Sequence, residues 1–308
     1  MRLIKPSIEI LEQGSGIQGI YKQIEKAGRT CYKSENLITE DSAEKFVNMI
    51  KDRQHTAMLE HGTIYLDIPW DCNKFIGDEQ KYFDNPYSIV NEGEIVYSDK
   101  THEAHYYITT NYRVLYENGW MADLQYLCEP TEYHEKRVTV HFICDRGVSH
   151  ELVRHRVFSF AQESTRYCNY SKDKFSNELT FIIPCWLSLK EARYVYWDGD
   201  YVEDTTPESL PHTILKHVVG DADDIFLSNC ENVELSYKHL INIGWTPQQA
   251  RSILPNSLKT ELVMTGTIEQ WKEFFKLRSP LYGATGAHPQ AAELADKLYI
   301  QFKEKNYI

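Results

Sequence analysis

Apolar residues in the first half of the chain switch between two periods. Ser7-Ile8-Glu9-Ile10-Leu11 alternates and predicts a short strand. From 17 to 27 the apolar positions Ile17, Ile20, Tyr21, Ile24 and Ala27 recur at helical spacing, and Gly28 stands where a C-terminal glycine stop belongs. A second helix is predicted over 42–52, with Phe46, Val47 and Ile50 as its apolar face and Asp41 with Glu44 as a capping box. Alternation returns in Thr63-Ile64-Tyr65-Leu66-Asp67-Ile68 and again in Val138-Thr139-Val140-His141-Phe142. Between them, 70–136 is rich in Tyr, Asp, Glu and Asn. It reads as an inserted excursion with some helix near 118–128, and surface decoration is its default role.

The second half is more regular. Thr246 suits an N-cap, with Pro247 at the first helical position and Gln249 completing a box; that helix ends before Pro255. Residues 258–265 read as a strand. Thr267 then caps a helix running to about 277, with Gln270 as box partner and Ile268, Trp271, Phe274 and Phe275 as its buried side. A last helix begins near Pro289. Helices with scattered strands and no regular βαβ alternation indicate an α+β fold. No Gly-, Ser- or Pro-rich linker divides the chain, so 1–308 is expected to be a single domain carrying the 70–136 insert.

With 42% apolar and 13% aromatic residues, a chain of 308 can bury a sizeable core. No apolar run approaches the roughly 20 residues of a membrane span, and Met1-Arg2-Leu3-Ile4-Lys5-Pro6 lacks a signal core. A soluble, cytoplasmic protein with no membrane partner is expected. The seven cysteines are odd in number and none is spaced CxxC, which fits reduced thiols better than a disulfide frame or zinc site. A net charge of −12 argues against nucleic acid as a partner. Small anionic ligands would need local arginine clusters working against that field.

Such a cluster exists. The stretch Glu151-Leu-Val-Arg154-His155-Arg156-Val-Phe-Ser159-Phe-Ala-Gln162-Glu163-Ser164-Thr165-Arg166-Tyr167 holds three arginines, a histidine and two serines between Arg154 and Arg166. Neither apolar period explains those polar positions. Guanidinium groups gather against their mutual repulsion when an anion offsets it, and their planar fork meets phosphate with two parallel hydrogen bonds. If 150–156 ends a helix, Arg154 and Arg156 lie about 200° apart and serve two ligands or two parts of one. If the chain beyond is extended, Ser164 and Arg166 share a face and grip one phosphate. A solvated helix end with surface Arg–Glu pairs is the bland alternative.

The segment resembles the signature of the flavin-dependent thymidylate synthases, the ThyX family: Arg154-His155-Arg156, seven residues, Ser164, then Arg166-Tyr167. Many members have Asn-Glu where this chain has Ala161-Gln162. Other landmarks are similar: His55 followed by Glu60-His61, Ala250-Arg251-Ser-Ile-Leu254-Pro255, Leu277-Arg278, and His288-Pro289-Gln290. The resemblance covers about 17–68 and 138–300.

It implies a central, mostly antiparallel sheet with flanking helices, a homotetramer with active sites built from several subunits, and bound FAD. It further implies reductive methylation of dUMP to dTMP, with 5,10-methylenetetrahydrofolate as carbon donor and NADPH as reductant. Carried over by residue, Glu151, Arg154, Ser164, Arg166, Arg251 and Arg278 would meet dUMP. His55, Arg154, His155, Arg156, Gln162, Thr267, Glu273 and His288 would meet FAD. Arg278, facing the uracil, would be the catalytic residue, and no metal is implied.

Rival readings are weaker. His55, Glu60 and His61, with His150 and His155, suggest a metal hydrolase, but the spacing is not HExxH. Pro184-Cys185-Trp186 superficially resembles the nucleophile of a cysteine-dependent thymidylate synthase; Cys185 is expected to be an ordinary half-buried thiol at a strand end. A non-catalytic nucleotide- or flavin-binding protein of the same fold is the third alternative.

Overall fold

The computed structural model describes residues 1–70, 79–93, 96–97, 102–166, 168–172, 177–197, 200–203 and 221–308. Cys72 and Tyr167 lie outside the described residues, as does part of the 70–136 insert.

Four strands form the central sheet in the order Ser7–Leu11, Arg137–Asp145, Lys259–Thr267, Ser159–Gln162, and each neighbouring pair is antiparallel. Registers such as Phe142 opposite Leu262 and Val140 opposite Met264 put the even-numbered residues on one face. That face packs on the helices Ile268–Arg278 and Pro289–Glu304 through Trp271, Phe274, Phe275, Leu298 and Phe302. The opposite face carries Leu11, Ala161 and Val263 against Ala27 of the helix Gly16–Tyr32. It also carries the polar positions Thr139, His141, Glu261 and Thr265. The expected mixed fold around an antiparallel sheet is therefore what the chain adopts.

Several local expectations are corrected. Gly28 does not stop its helix, which continues to Tyr32 and ends at Lys33 in the left-handed region (φ 50°). Glycine is needed at 28 for close packing instead, since a Cβ there would lie 2.6 Å from Phe46 Cε1. Asp41 precedes the helix Ser42–Asp52 but makes no side-chain cap; Ser42 Oγ instead accepts from Thr39 N at 2.9 Å and ties down the turn that leads into the helix.

The 70–136 segment is more than surface decoration. Its strand His105–Asn111 pairs along the whole of Thr63–Pro69, and Ile89–Glu92 adds a third strand. Tyr82, Ile108, Tyr112 and Leu115 bury with Ile64, Leu66, Phe46 and Ile50 in one apolar cluster. Helical turns there fall at Gln80–Phe83, Tyr112–Glu117 and Met121–Tyr126. A further sheet joins Arg2–Ile4 to Thr180–Ile182 and Ala192–Trp197, backed by the helix Ala222–Asn242. Among the described residues no helix is long and apolar enough to cross a membrane.

Candidate functional site

Asp145 ends its strand and caps the next helix, Arg146–Leu152, by accepting from Val148 N at 2.7 Å; its other carboxylate oxygen accepts from Gln290 Nε2 at 2.7 Å. The helix stops at Leu152. Arg154, His155 and Arg156 therefore lie on a run of turns, with His155 N donating to Leu152 O at 3.1 Å and Arg156 N to Arg154 O at 2.9 Å. This corrects the helical placement of the triplet and with it the 200° argument. The turn leaves Arg154 and Arg156 exposed and turns His155 inward, its ring 5.0 Å from that of Phe274.

Arg278, the last residue of its helix, meets this turn. Its Nε donates to His155 Nε2 at 3.2 Å, its Nη2 to Glu151 O at 3.2 Å, and its Nη1 to the Glu151 carboxylate. Burial, reinforced by the Arg278 guanidinium, pushes the His155 imidazole down to about 4. The ring is thus neutral near pH 7 and accepts at Nε2, which places its proton on Nδ1.

The Ser159–Gln162 strand ends before the serine, and the chain turns. Ser164 Oγ accepts from Arg166 N at 3.4 Å and Cys168 N donates to Ser164 O at 3.1 Å. The extended reading of 164–166 is therefore corrected to a turn closed partly by the serine hydroxyl itself. Arg251 Nη1 reaches Thr165 Oγ1 at 3.3 Å, so this arginine and the turn are brought together across 86 residues of sequence. Gln162 and Glu163 point to opposite faces. Gln162 Nε2 donates to Ser149 Oγ at 2.9 Å and Thr260 Oγ1 at 3.3 Å, inside the fold.

Glu163 joins a network that the sequence reading missed. Its carboxylate accepts from Lys259 Nζ at 2.9 Å and Tyr170 OH at 3.1 Å, while Lys259 and Lys33 both pair with Glu261 and His141 Nε2 lies 3.1 Å from it. Burial alone would raise the Glu261 carboxyl. The His141 hydrogen bond and the Lys259 and Lys33 charges overcome that and hold it far below the usual carboxylate range. Burial would lower Lys259, and the two carboxylates hold it well above the usual lysine range instead. The visible signal was Lys259-x-Glu261 in a predicted strand, two positions apart on one face. Another missed run, Gly14-Ser15-Gly16-Ile17-Gln18-Gly19, joins a strand to a helix. That strand's partner is antiparallel, so it lacks the βαβ unit of dinucleotide sites, and Gly19 is needed because a Cβ there would lie 1.8 Å from Gly14 O.

The remaining candidates are dispersed. His55 is exposed and hydrogen-bonded through Nδ1 to Tyr32 OH; Cys31, the residue before that tyrosine, accepts at its carbonyl from Ser164 N at 3.1 Å. Glu60 pairs with Arg113 at 2.6 Å, and its carbonyl accepts from both terminal nitrogens of Arg137 at 3.2 Å. His61 is fully buried, with Nδ1 2.8 Å from Thr265 Oγ1. Thr267 spends its hydroxyl as N-cap, accepting from Gln270 N at 3.3 Å. Glu273 is exposed and paired with Lys276. His288 is exposed, its ring edge-on to Trp186 at 5.9 Å. Cys185 is exposed rather than half-buried. Among the described residues no group of three or more His, Cys, Asp or Glu is placed to hold a metal.

Comparison with known proteins gives this arrangement its context. The flavin-dependent thymidylate synthase of Pyrococcus furiosus is 33% identical over 137 residues, 44% of this chain and 43% of that protein. That of Pyrococcus abyssi is 29% identical over 135 residues, again 44% and 43%. The chain thus spans less than half the length of these relatives. A crystal structure of a UMP/dUMP methylase, PolB from Streptomyces cacaoi, aligns over 99% of this chain and 92% of its own at 14% identity and a TM-score of 0.42. Residues 129–306, more than half of the chain and inclusive of Arg154, Arg156, Arg166, Arg251 and Arg278, match the model of the thymidylate synthase complementing protein family, and the protein belongs to that family.

Proposed function

We propose that the protein is a flavin-dependent thymidylate synthase that converts dUMP to dTMP, using FAD, 5,10-methylenetetrahydrofolate and NADPH, as a cytoplasmic homotetramer. The whole chain would act as one unit, with 70–136 as an insert. Family membership supports the reaction class, and the observation that carries the reading is Arg278 held by Glu151 and by a neutral His155.

The donor set fits both ligands. Arg154 and Arg156 are exposed and, among the described residues, neither pairs with a carboxylate, so their forks are available to the diphosphate of FAD. His55, His155, Gln162, Thr267, Glu273 and His288 complete the proposed flavin positions. Ser164, Arg166 and Arg251, with Arg154, would bind the dUMP phosphate, because the turn brings Arg251 against Thr165. Arg278 would face the uracil N3/O4 edge and stabilise negative charge on the ring, the preorganised electrostatics that dominates much enzyme catalysis. The neutral His155 keeps that guanidinium oriented without competing for charge. FAD, when bound, supplies the hydride that completes the methyl group.

The test is NADPH oxidation by FAD-loaded protein with methylenetetrahydrofolate, with and without dUMP, and chromatography for dTMP. Oxidation that requires dUMP and yields dTMP is expected. Protein that takes up no FAD, or forms no dTMP, overturns the reading; tight binding of both ligands without turnover points to the non-catalytic alternative.

A further inference from the structure

Glu151 carries an acidic group where the site meets an anionic nucleotide, and the geometry gives that charge a task. Arg278 has five N–H donors. One is spent on His155 Nε2, one on the Glu151 carboxylate and one on the Glu151 carbonyl. A single residue thus supplies two acceptors, one from the side chain and one from the main chain. The carbonyl belongs to the last turn of the Arg146–Leu152 helix, where a cation is favoured, and it also accepts from Arg154 N at 3.3 Å. Both side chains are largely sheltered, 16% exposed for Arg278 and 25% for Glu151.

We propose that Glu151 is the positioning residue for Arg278 and not a direct ligand of the nucleotide, and that it sets how much positive charge the pyrimidine edge meets. This rests on the function proposed above. The three spent donors fix the plane of the guanidinium before any ligand arrives, and the two left over are free to meet acceptors such as a uracil carbonyl. A rotamer-rich side chain held this way loses little freedom on binding. The same carboxylate offsets part of the guanidinium charge, so it moderates how strongly Arg278 favours negative charge on the pyrimidine ring. The surroundings of His155 are apolar, with Phe158 and Phe274 flanking its ring, and Arg278 and Glu151 are both mostly sheltered. Water therefore screens the pair incompletely.

The two functions of Glu151, acceptor and charge, separate by substitution. Glu151→Gln keeps an acceptor and drops the charge. Glu151→Ala drops both. Glu151→Asp shortens the reach and serves if the alanine variant does not fold, which circular dichroism decides. The first readout needs no nucleotide. In the free full-length protein, the His155 imidazole is titrated by NMR. Loosening Arg278 removes part of what depresses that ring, so Glu151→Ala, or Asp, raises its pKa by about one unit, and Glu151→Gln leaves it low. The second readout is dUMP binding and the pH at which the bound uracil N3 ionises, followed by ultraviolet absorbance. Glu151→Ala weakens dUMP about tenfold, whereas Glu151→Gln binds within about twofold of wild type and ionises the bound ring at lower pH.

Equal weakening of dUMP by Gln and Ala, with the His155 titration unmoved in both, overturns the proposal and makes Glu151 a direct nucleotide ligand. Wild-type protein that binds no dUMP overturns the function reading instead, and the His155 titration still decides whether Glu151 positions Arg278.

Discussion

Arg278 closes its helix by donating 3.2 Å from Nη2 to the backbone carbonyl of Glu151, a residue 127 positions earlier, while its Nη1 meets the same residue's carboxylate. This tie makes the arginine a fixed part of the fold before any substrate is present. Its removal should therefore damage the chemical step more than the fold. Arg278→Ala should lower single-turnover dTMP formation by about 10²–10³-fold, the loss typical of one preorganised charge-stabilising donor. Arg278→Lys should rescue little, because an ammonium cannot reach His155, the Glu151 carbonyl and the carboxylate from one rigid plane. Full rescue by lysine would show that charge alone suffices.

Lys259 carries two carboxylates, those of Glu163 and Glu261, beneath the turn that bears Ser164. Lys259→Met should destabilise the protein by about 3–5 kcal/mol, because it leaves buried carboxylates short of a counter-ion. The sign against pH follows from Glu261, whose folded pKa is depressed. Its stabilising contribution is complete above the unfolded carboxyl value and is lost as pH falls. The gap between wild type and Lys259→Met in urea unfolding should narrow below about pH 4.5. A gap that stays constant to pH 3.5 would sink this account.

The parts of the fold legible in sequence are those where one period runs without interruption. Ile268–Arg278 was readable to within about a residue because Thr267 and Gln270 form the box and Ile268, Trp271, Phe274 and Phe275 recur cleanly. The helix Ala222–Asn242 was not read. It buries Glu231 and Glu234 beside Leu227 and Cys230, so its apolar stripe is broken by acids that are satisfied only in the fold, such as Glu234 accepting from Leu179 N at 3.2 Å. The insert's sheet was hidden because His105–Asn111 finds its partner about 40 residues upstream. At the site, the arginines stood out by composition and matched the family's pattern. The division of labour between Gln162 and Glu163 did not, because it depends on where the strand ends; adjacent strand residues face opposite sides.

His61 is fully buried, and burial, with the Arg137 charge adding, pushes its imidazole down to about 3. The fold therefore holds the neutral ring, while an unfolded chain takes up a proton below about pH 6.5. The contribution of His61 is full above that value and is lost as pH falls from there towards 3. It should give a slope of about 1.4 kcal/mol per pH unit near pH 5. His155, also depressed, acts in the same direction. Urea unfolding of wild type and His61→Leu at pH 7, 6 and 5 should show a shallower acid slope in the variant. Parallel slopes would mean that His61 takes up its proton in the folded state.

Gly28 offers the sharpest conflict between local preference and packing. It lies inside the helix Gly16–Tyr32, where alanine is ordinarily more stable than glycine by about 1 kcal/mol. Its backbone is helical, so no left-handed angle demands glycine there. The neighbour does: an added Cβ would stand 2.6 Å from Phe46 Cε1 and 2.7 Å from Cζ. The Phe46 ring has little room to yield, since the Arg29 guanidinium lies 4.9 Å from its centre and the residue is buried among Ile24, Val47 and Ile50. Gly28→Ala should therefore destabilise by about 1–3 kcal/mol, the usual range for an overpacked core. In a Phe46→Leu background the clash is relieved and the same change should become neutral or stabilising. Chemical denaturation of the four proteins measures this coupling. If Gly28→Ala stabilised the wild-type background, the helix would have to be free to shift away from Ser42–Asp52, and close packing would no longer explain the glycine.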